Sequence, residues 1–169
     1  MECSGRLPAV LSKVNLTDLL GKMTHEFCPR GDAPANPLIS DQDIVVVPDY
    51  KDVGNFTTGH AGIVLGEVTR SVISEICKHR VRQVDLGKTI RLNEEGVGVL
   101  TRDSARLAKS EFVSKWGYVG TYAELPGKLV ITLRELDMES GATTRIVSRE
   151  LNHGCRISNG EYRFNYSLN

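Results

Sequence analysis

The reading that decides the fold starts with Ile44-Val45-Val46-Val47-Pro48. It continues through Gly62-Ile63-Val64-Leu65-Gly66-Glu67-Val68 as far as Ile76, and closes on Val81-Arg82-Gln83-Val84-Asp85-Leu86. The first run is short, wholly apolar and bounded by Asp43 and Pro48, the pattern of a strand buried on both faces. Asp49 to Asn55 is polar and turn-like. Thr57 or Thr58 suits the N-cap of a helix reaching about His79, with a buried stripe of Val64 or Leu65, Val68, Val72, Ile73 and Ile76. From Val81 to Leu86 the chain alternates as a second strand. Strand, helix, strand requires a right-handed crossover and a parallel strand pair.

Outward from this unit, Leu16, Leu19, Leu20, Met23 and Phe27 recur at helical spacing. Asn15 is placed to cap that helix, and Asp18 sits where a carboxylate meets the positive end of the helix dipole. Pro29, Gly31, Pro34 and Pro37 then make Cys28 to Ser40 the most linker-like segment, so the helix before it is expected to pack loosely or to swap onto a neighbour. After the second strand, Gly87 to Leu100 is ragged, with room for a hairpin around Thr89 to Leu92. Thr101 caps a further helix that offers Ala105, Leu107, Ala108 and Phe112 to the core.

The period then changes. Tyr118 to Leu125, Lys128 to Leu136 and Thr143 to Leu151 alternate as strands, separated by Pro126-Gly127 and by Glu139-Ser140-Gly141. The expected fold class is α/β (α+β): one mixed sheet with helices mainly on one face, a strand–helix–strand start and a carboxy-terminal antiparallel meander. The expected division is 1–40 for the amino-terminal helix and Pro-rich linker, 41–152 for the α/β domain, and 153–169 for a tail without a clear pattern. Gly120 interrupts a strand, where a missing side chain weakens a sheet unless something packs closely over it. Helix backbone or an aromatic ring is expected there.

Composition bounds the function. The chain has 169 residues, 40% hydrophobic and 25% charged, which fits one globular domain. Lys and Arg number 21, as do Asp and Glu, so there is no basic excess of the kind that neutralises nucleic-acid phosphates. No apolar run approaches the roughly 20 residues of a membrane-spanning helix. The amino terminus carries no apolar signal-peptide region. That leaves either a cytoplasmic protein or one whose signal has been removed. The four cysteines Cys3, Cys28, Cys77 and Cys155 permit two disulfides without requiring them.

The residues that bear chemistry each have a plain structural explanation. Gly59-His60-Ala61-Gly62 with Gly66-Glu67 resembles a Gly-rich anion cradle, yet it lacks the Gly-Lys-Ser/Thr ending of a P-loop. About ten polar residues also separate the first strand from the helix, where a dinucleotide fingerprint needs a strand leading straight into its glycines. Close helix–sheet packing explains the glycines better. His25 with Cys28, Cys77 with His79, and His153 with Cys155 supply soft ligands at spacings that match no zinc finger or ribbon. Glu135 and Asp137 share a strand face, and a solvated face near a hairpin accounts for them better than acid–base chemistry. No catalytic, cofactor or metal residue is assigned. Trp116, Tyr118 and Tyr122 form an aromatic cluster suited either to the core or to an interface. Arg145, Arg149 and Glu150 look like charges that guard an edge strand. The candidate interface is therefore Trp116, Tyr118, Tyr122, Arg145 and Arg149.

One order of motifs resembles a known family. After the apolar strand come Gly62-Ile63-Val64-Leu65-Gly66-Glu67, Val84-Asp85-Leu86, Leu100-Thr101-Arg102-Asp103 and Gly117-Tyr118-Val119-Gly120-Thr121-Tyr122. Val130 to Asp137 and Ser140-Gly141 follow. From Ile44 to Leu151 this is similar to the FlgO family of bacterial flagellar outer-membrane proteins, most closely at the Gly-Thr-Tyr of 120–122. The resemblance implies a fold like the amino-terminal domain of TolB and like the lipoprotein activators of cell-wall synthases. It implies a non-enzymatic protein of the periplasm or outer membrane that supports flagellar stability or motility. Its partners would be envelope or flagellar proteins or a second copy in a homo-oligomer, with no nucleic acid and no cofactor. Membrane contact would come only through a lipid anchor outside this sequence. The alternative is a cytoplasmic small-ligand-binding or regulatory α/β domain that uses the helix start near Gly62.

Overall fold

The computed structural model describes residues 10–28, 36–40, 43–84, 90–93, 96–99, 114–158 and 161–168, with 90–99 and 155–168 described by their backbone alone. The elements run α1 (Leu16–Phe27), β1 (Ile44–Val46), β2 (Lys51–Asp52), α2 (Gly59–Ile76), β3 (Arg80–Arg82), β4 (Ile90–Asn93), β5 (Gly96–Val99), β6 (Trp116–Leu125), β7 (Lys128–Asp137), β8 (Thr143–Ser158) and β9 (Glu161–Leu168). The main sheet has the order β3-β1-β6-β7-β8-β9, and β2 lies beside β6 further along the β1 track. β1 pairs in parallel with β3 and β6, and β6 through β9 form an antiparallel meander. The mixed sheet, the α2 crossover and the meander agree with the sequence reading. β4 and β5 form the hairpin expected after Gly87. The helix expected from Thr101, and Cys3, lie outside the described residues.

Both described helices pack on one face of the sheet. Leu19, Leu20, Met23 and Phe27 of α1 and Leu65, Val72 and Ile73 of α2 join Val45, Tyr118, Leu129, Ile131, Leu133 and Val147 in a single buried cluster. A smaller cluster on the opposite face holds Val46, Val119, Leu136 and Met138. Two faces with apolar cover explain why β1 reads as a continuous apolar run rather than an alternating one.

The first helix does not pack loosely. The Asn15 carboxamide accepts from the Asp18 N–H at 3.1 Å, as an N-cap should. Leu20 and Met23 are fully buried. The end of the helix is covalently held, because Cys28 forms a disulfide with Cys77 at the end of α2. The spacing of its apolar face marked a core helix. The Pro-rich sequence that follows hid the tether.

α2 approaches the sheet through glycine. A Cβ on Gly62 would lie 2.1 Å from the Tyr50 carbonyl oxygen, and one on Gly66 would lie 2.8 Å from the Asp49 Cα. The residues Asp49 to Asn55, expected as a plain turn, therefore contain β2 and a fully buried tyrosine, Tyr50. Thr69 Oγ1 hydrogen-bonds the Tyr50 hydroxyl at 2.9 Å and the Leu65 carbonyl at 2.8 Å. Arg70 holds the same turn through Val47 O at 3.1 Å and Asp49 Oδ1 at 2.9 Å. α2 ends before the expected His79, as Lys78 enters the left-handed region at φ 59° and turns the chain towards β3.

The segment after Asn152 is not without pattern. β8 continues to Ser158, and β9 returns antiparallel to it from Glu161 to Leu168. The sequence signal was present: Tyr162, Phe164, Tyr166 and Leu168 alternate with Glu161, Arg163, Asn165 and Ser167.

Candidate interaction surface

Trp116, Tyr118 and Tyr122 point from β6 into the core beneath the helices, with 5%, 1% and 4% exposure. The Tyr118 ring meets Phe27 edge-on at 5.5 Å and stacks near His79 at 6.4 Å. Its hydroxyl donates to Glu135 Oε2 at 2.9 Å. Burial first, and then the Glu135 charge, raises the Tyr118 phenol well above its ordinary range. Tyr122 donates to the Thr58 carbonyl at 3.3 Å. These three aromatics are core groups in this fold, so a surface contact through them is corrected. Their spacing on one strand face fits either reading, and only the position of α1 and α2 over that face decides it.

Glu135 is also not solvated. It is 1% exposed and accepts three hydrogen bonds, from Tyr118, from Asn36 Nδ2 at 3.0 Å and from Thr144 Oγ1 at 2.8 Å. The end of α1 and the Asn36 segment cover this part of the sheet, where the alternation alone suggested an open face. Asp137 is committed elsewhere. It accepts the N–H groups of Glu139 and Ser140 in the β7–β8 turn, which hold its carboxyl below the usual carboxylate range against the opposing effect of partial burial. The two carboxylates thus serve separate structural roles.

Arg145 and Arg149 lie on the helix face of β8, opposite Glu135 and Ile131. Arg145 Nη1 donates to the Glu26 carbonyl at 2.8 Å, where the carbonyl end of α1 favours a cation. Arg149 pairs with the Glu26 carboxylate and donates to Ser148 O at 2.8 Å. Glu150 pairs with Lys128 of β7 at 2.8 Å. All three charges read as edge guards therefore hold partners within the chain, and the two arginines fasten α1 to β8.

β9 pairs only with Leu151–Ser158, so the outer side of residues 143–150 has no strand partner among the described residues. Ile146, in the middle of this stretch, is 57% exposed. The sequence reading did not single out Ile146.

The remaining candidates resolve simply. The Gly62 and Gly66 positions are filled by the Asp49–Tyr50 backbone, so close packing accounts for the Gly-rich helix start, and His60 stands exposed beside it. Ligand atoms of Cys28, Cys77 and His79 lie within 4.8 Å of one another. The two sulfurs are bonded to each other as a disulfide, which removes the thiolates a metal would need. The side chain of Cys155 lies outside the described residues.

Among solved structures, the chain is similar to the LpoB C-terminal domain from Salmonella enterica, at 10% identity and a TM-score of 0.47. It is similar to the LpoB C-terminal domain from Escherichia coli at 7% identity and a TM-score of 0.47. Each comparison covers 80% of this chain and 96% of the other. No family model and no curated protein matches the sequence.

Proposed function

We propose that this chain is a non-catalytic module of the bacterial cell envelope that works by protein–protein contact through β8 around the exposed Ile146. The single observation that carries the contact is Ile146, a β-branched residue of β8 that stands exposed. The Cys28–Cys77 disulfide supports the compartment, since such bonds form and persist in oxidising environments such as the periplasm. It weighs against the cytoplasmic ligand-binding alternative, as does the filled helix start at Gly62. The saturated, buried Glu135 supports a structural rather than an acid–base role for that carboxylate. The resemblance of the Gly120–Tyr122 region to the FlgO family supports a flagellar setting, in which the module aids assembly, stability or motility.

The test is genetic. Deleting the gene in a flagellated host is expected to reduce swimming, and the natural chain to restore it from an envelope fraction. Ile146→Lys, produced at equal abundance, is expected to restore swimming less well, because it puts a charge on an exposed apolar position without disturbing the core. Normal swimming in the deletion strain, with the protein in the cytoplasmic fraction, would overturn the proposal.

A further inference from the structure

We infer that Arg134, on the face of the sheet away from both helices, takes a carboxylate from a partner protein whose neighbouring apolar side chain rests on Ile146. This rests on β8 around Ile146 being a contact surface, as proposed above, and adds the chemistry of the partner. Leu133 and Glu135 face the helices, so Arg134 between them faces the other way. Directly across from it stand Val119 on β6 and Ile146 on β8, and directly opposite residues share a face. Val119 has no exposed surface, Arg134 is half-buried and Ile146 is 57% exposed. The guanidinium therefore lies between the closed centre of the sheet and the exposed apolar side chain.

Arg134 has no counter-ion among the described residues. Its Nη1 donates to Thr121 Oγ1 at 2.9 Å, and Nε and Nη2 meet no acceptor there. Burial lowers its pKa from the ordinary guanidinium value, and no neighbouring charge opposes that shift. An arginine nonetheless stays charged. The nearby carboxylates are committed: Glu135 to Tyr118, Asn36 and Thr144 on the helix face, Asp137 to its own turn, and Glu150 to Lys128 at 2.8 Å. A charge taken partly out of water without a partner costs free energy. A carboxylate that forks onto the open Nε–Nη2 edge recovers it. Phosphate fits less well, because the hydroxyls beside the guanidinium are already used. Thr121 accepts from Arg134, and Thr132 and Ser148 hydrogen-bond each other at 2.8 Å. An acidic side chain flanked by an aliphatic one matches both the cation and Ile146.

Two measurements on the full chain test it. In nuclear magnetic resonance titrations at neutral pH, the probes are the peptides acetyl-Val-Asp-Val-amide and acetyl-Val-Asn-Val-amide, and inorganic phosphate. The aspartyl peptide is expected to shift the signals of Ile146 and of the Arg134 side chain. It is expected to bind about tenfold more tightly than its asparaginyl analogue, the worth of a hydrogen bond to a charged group. Arg134→Gln is expected to abolish that preference. The second measurement is the melting temperature of the free chain. Arg134→Met keeps the aliphatic stem and removes the unpaired charge, so it is expected to melt at or above the parent. Equal binding of the two peptides, no binding of either at about 10 mM, or tighter binding of phosphate than of the aspartyl peptide would overturn the inference. So would a fall of more than about 4 °C for Arg134→Met, which would give the guanidinium a role in the free fold. If the peptides are not distinguished while Ile146→Lys still impairs swimming, β8 serves a partner of other chemistry and only this inference fails. If the peptides are distinguished and Ile146→Lys leaves swimming unchanged, the carboxylate site stands and the flagellar reading fails. If neither effect is seen, both fail.

Discussion

Gly120 is where local propensity and tertiary packing make opposite predictions. By strand propensity, replacing an interior glycine should stabilise β6. In the structure, a Cβ on Gly120 would lie 2.1 Å from Cε1 and Cζ of Tyr50. Carbon atoms pack at about 3.5–4.0 Å, so the ring would have to withdraw by about 1.5 Å. Tyr50 has no exposed surface to retreat into, and its hydroxyl is held by Thr69 at 2.9 Å. Overpacking of this kind costs about 1–3 kcal/mol. A buried hydroxyl pulled from its partner costs about 1–3 kcal/mol more. The expected loss for Gly120→Ala is therefore about 4 kcal/mol, a large part of the roughly 5–15 kcal/mol of a whole domain. At about 2–4 °C per kcal/mol for a chain of this size, the melting temperature should fall by about 8–16 °C. Differential scanning calorimetry measures this directly. Tyr50→Leu should remove the obstacle, so the double variant should lose less than the sum of the single variants by about 1–3 kcal/mol. A Gly120→Ala protein that melts with the parent, or costs that simply add, would refute the argument.

Three further outcomes are expected. Replacing Cys28 and Cys77 with serine removes a bridge across 49 residues, and chain entropy puts the loss near 4 kcal/mol, readable from guanidinium unfolding. Tyr118→Phe leaves the buried Glu135 carboxylate one donor short and should cost about 1.5–3 kcal/mol, as hydrogen bonds to charged groups do, in the same assay. Asp137→Asn should destabilise the β7–β8 turn in a pH-dependent way. The folded carboxyl titrates below its unfolded value near 3.9, so its contribution is full above that pH and is lost as the pH falls through the folded value. The gap between the melting curves of parent and variant should therefore narrow as the pH falls below the unfolded value, and a gap that does not change with pH would contradict this role for Asp137.

Much of the fold was legible in the sequence because it rests on periodicity. The Ile44–Val47 run, the α2 stripe and the Asn15-capped α1 each carry a local signal strong enough to survive assembly. Gly120 even announced that something packs over it, though not that the ring would be Tyr50, which lies 70 residues away. β9 was legible too, in the alternation of Tyr162, Phe164, Tyr166 and Leu168. What the sequence could not determine is which side of a period-2 pattern is covered. Tyr118, Tyr122 and Glu135 alternate as any half-exposed strand does, and only the seating of α1 and α2 over that face turns them into core. Likewise four cysteines permit several pairings, and the convergence of two helix ends selects Cys28 with Cys77. The extension of β8 to Ser158 likewise depends on its pairing with β9. Burial, pairing and edges depend on residues far apart in the chain meeting in space, and local pattern carries no information on which distant segments meet.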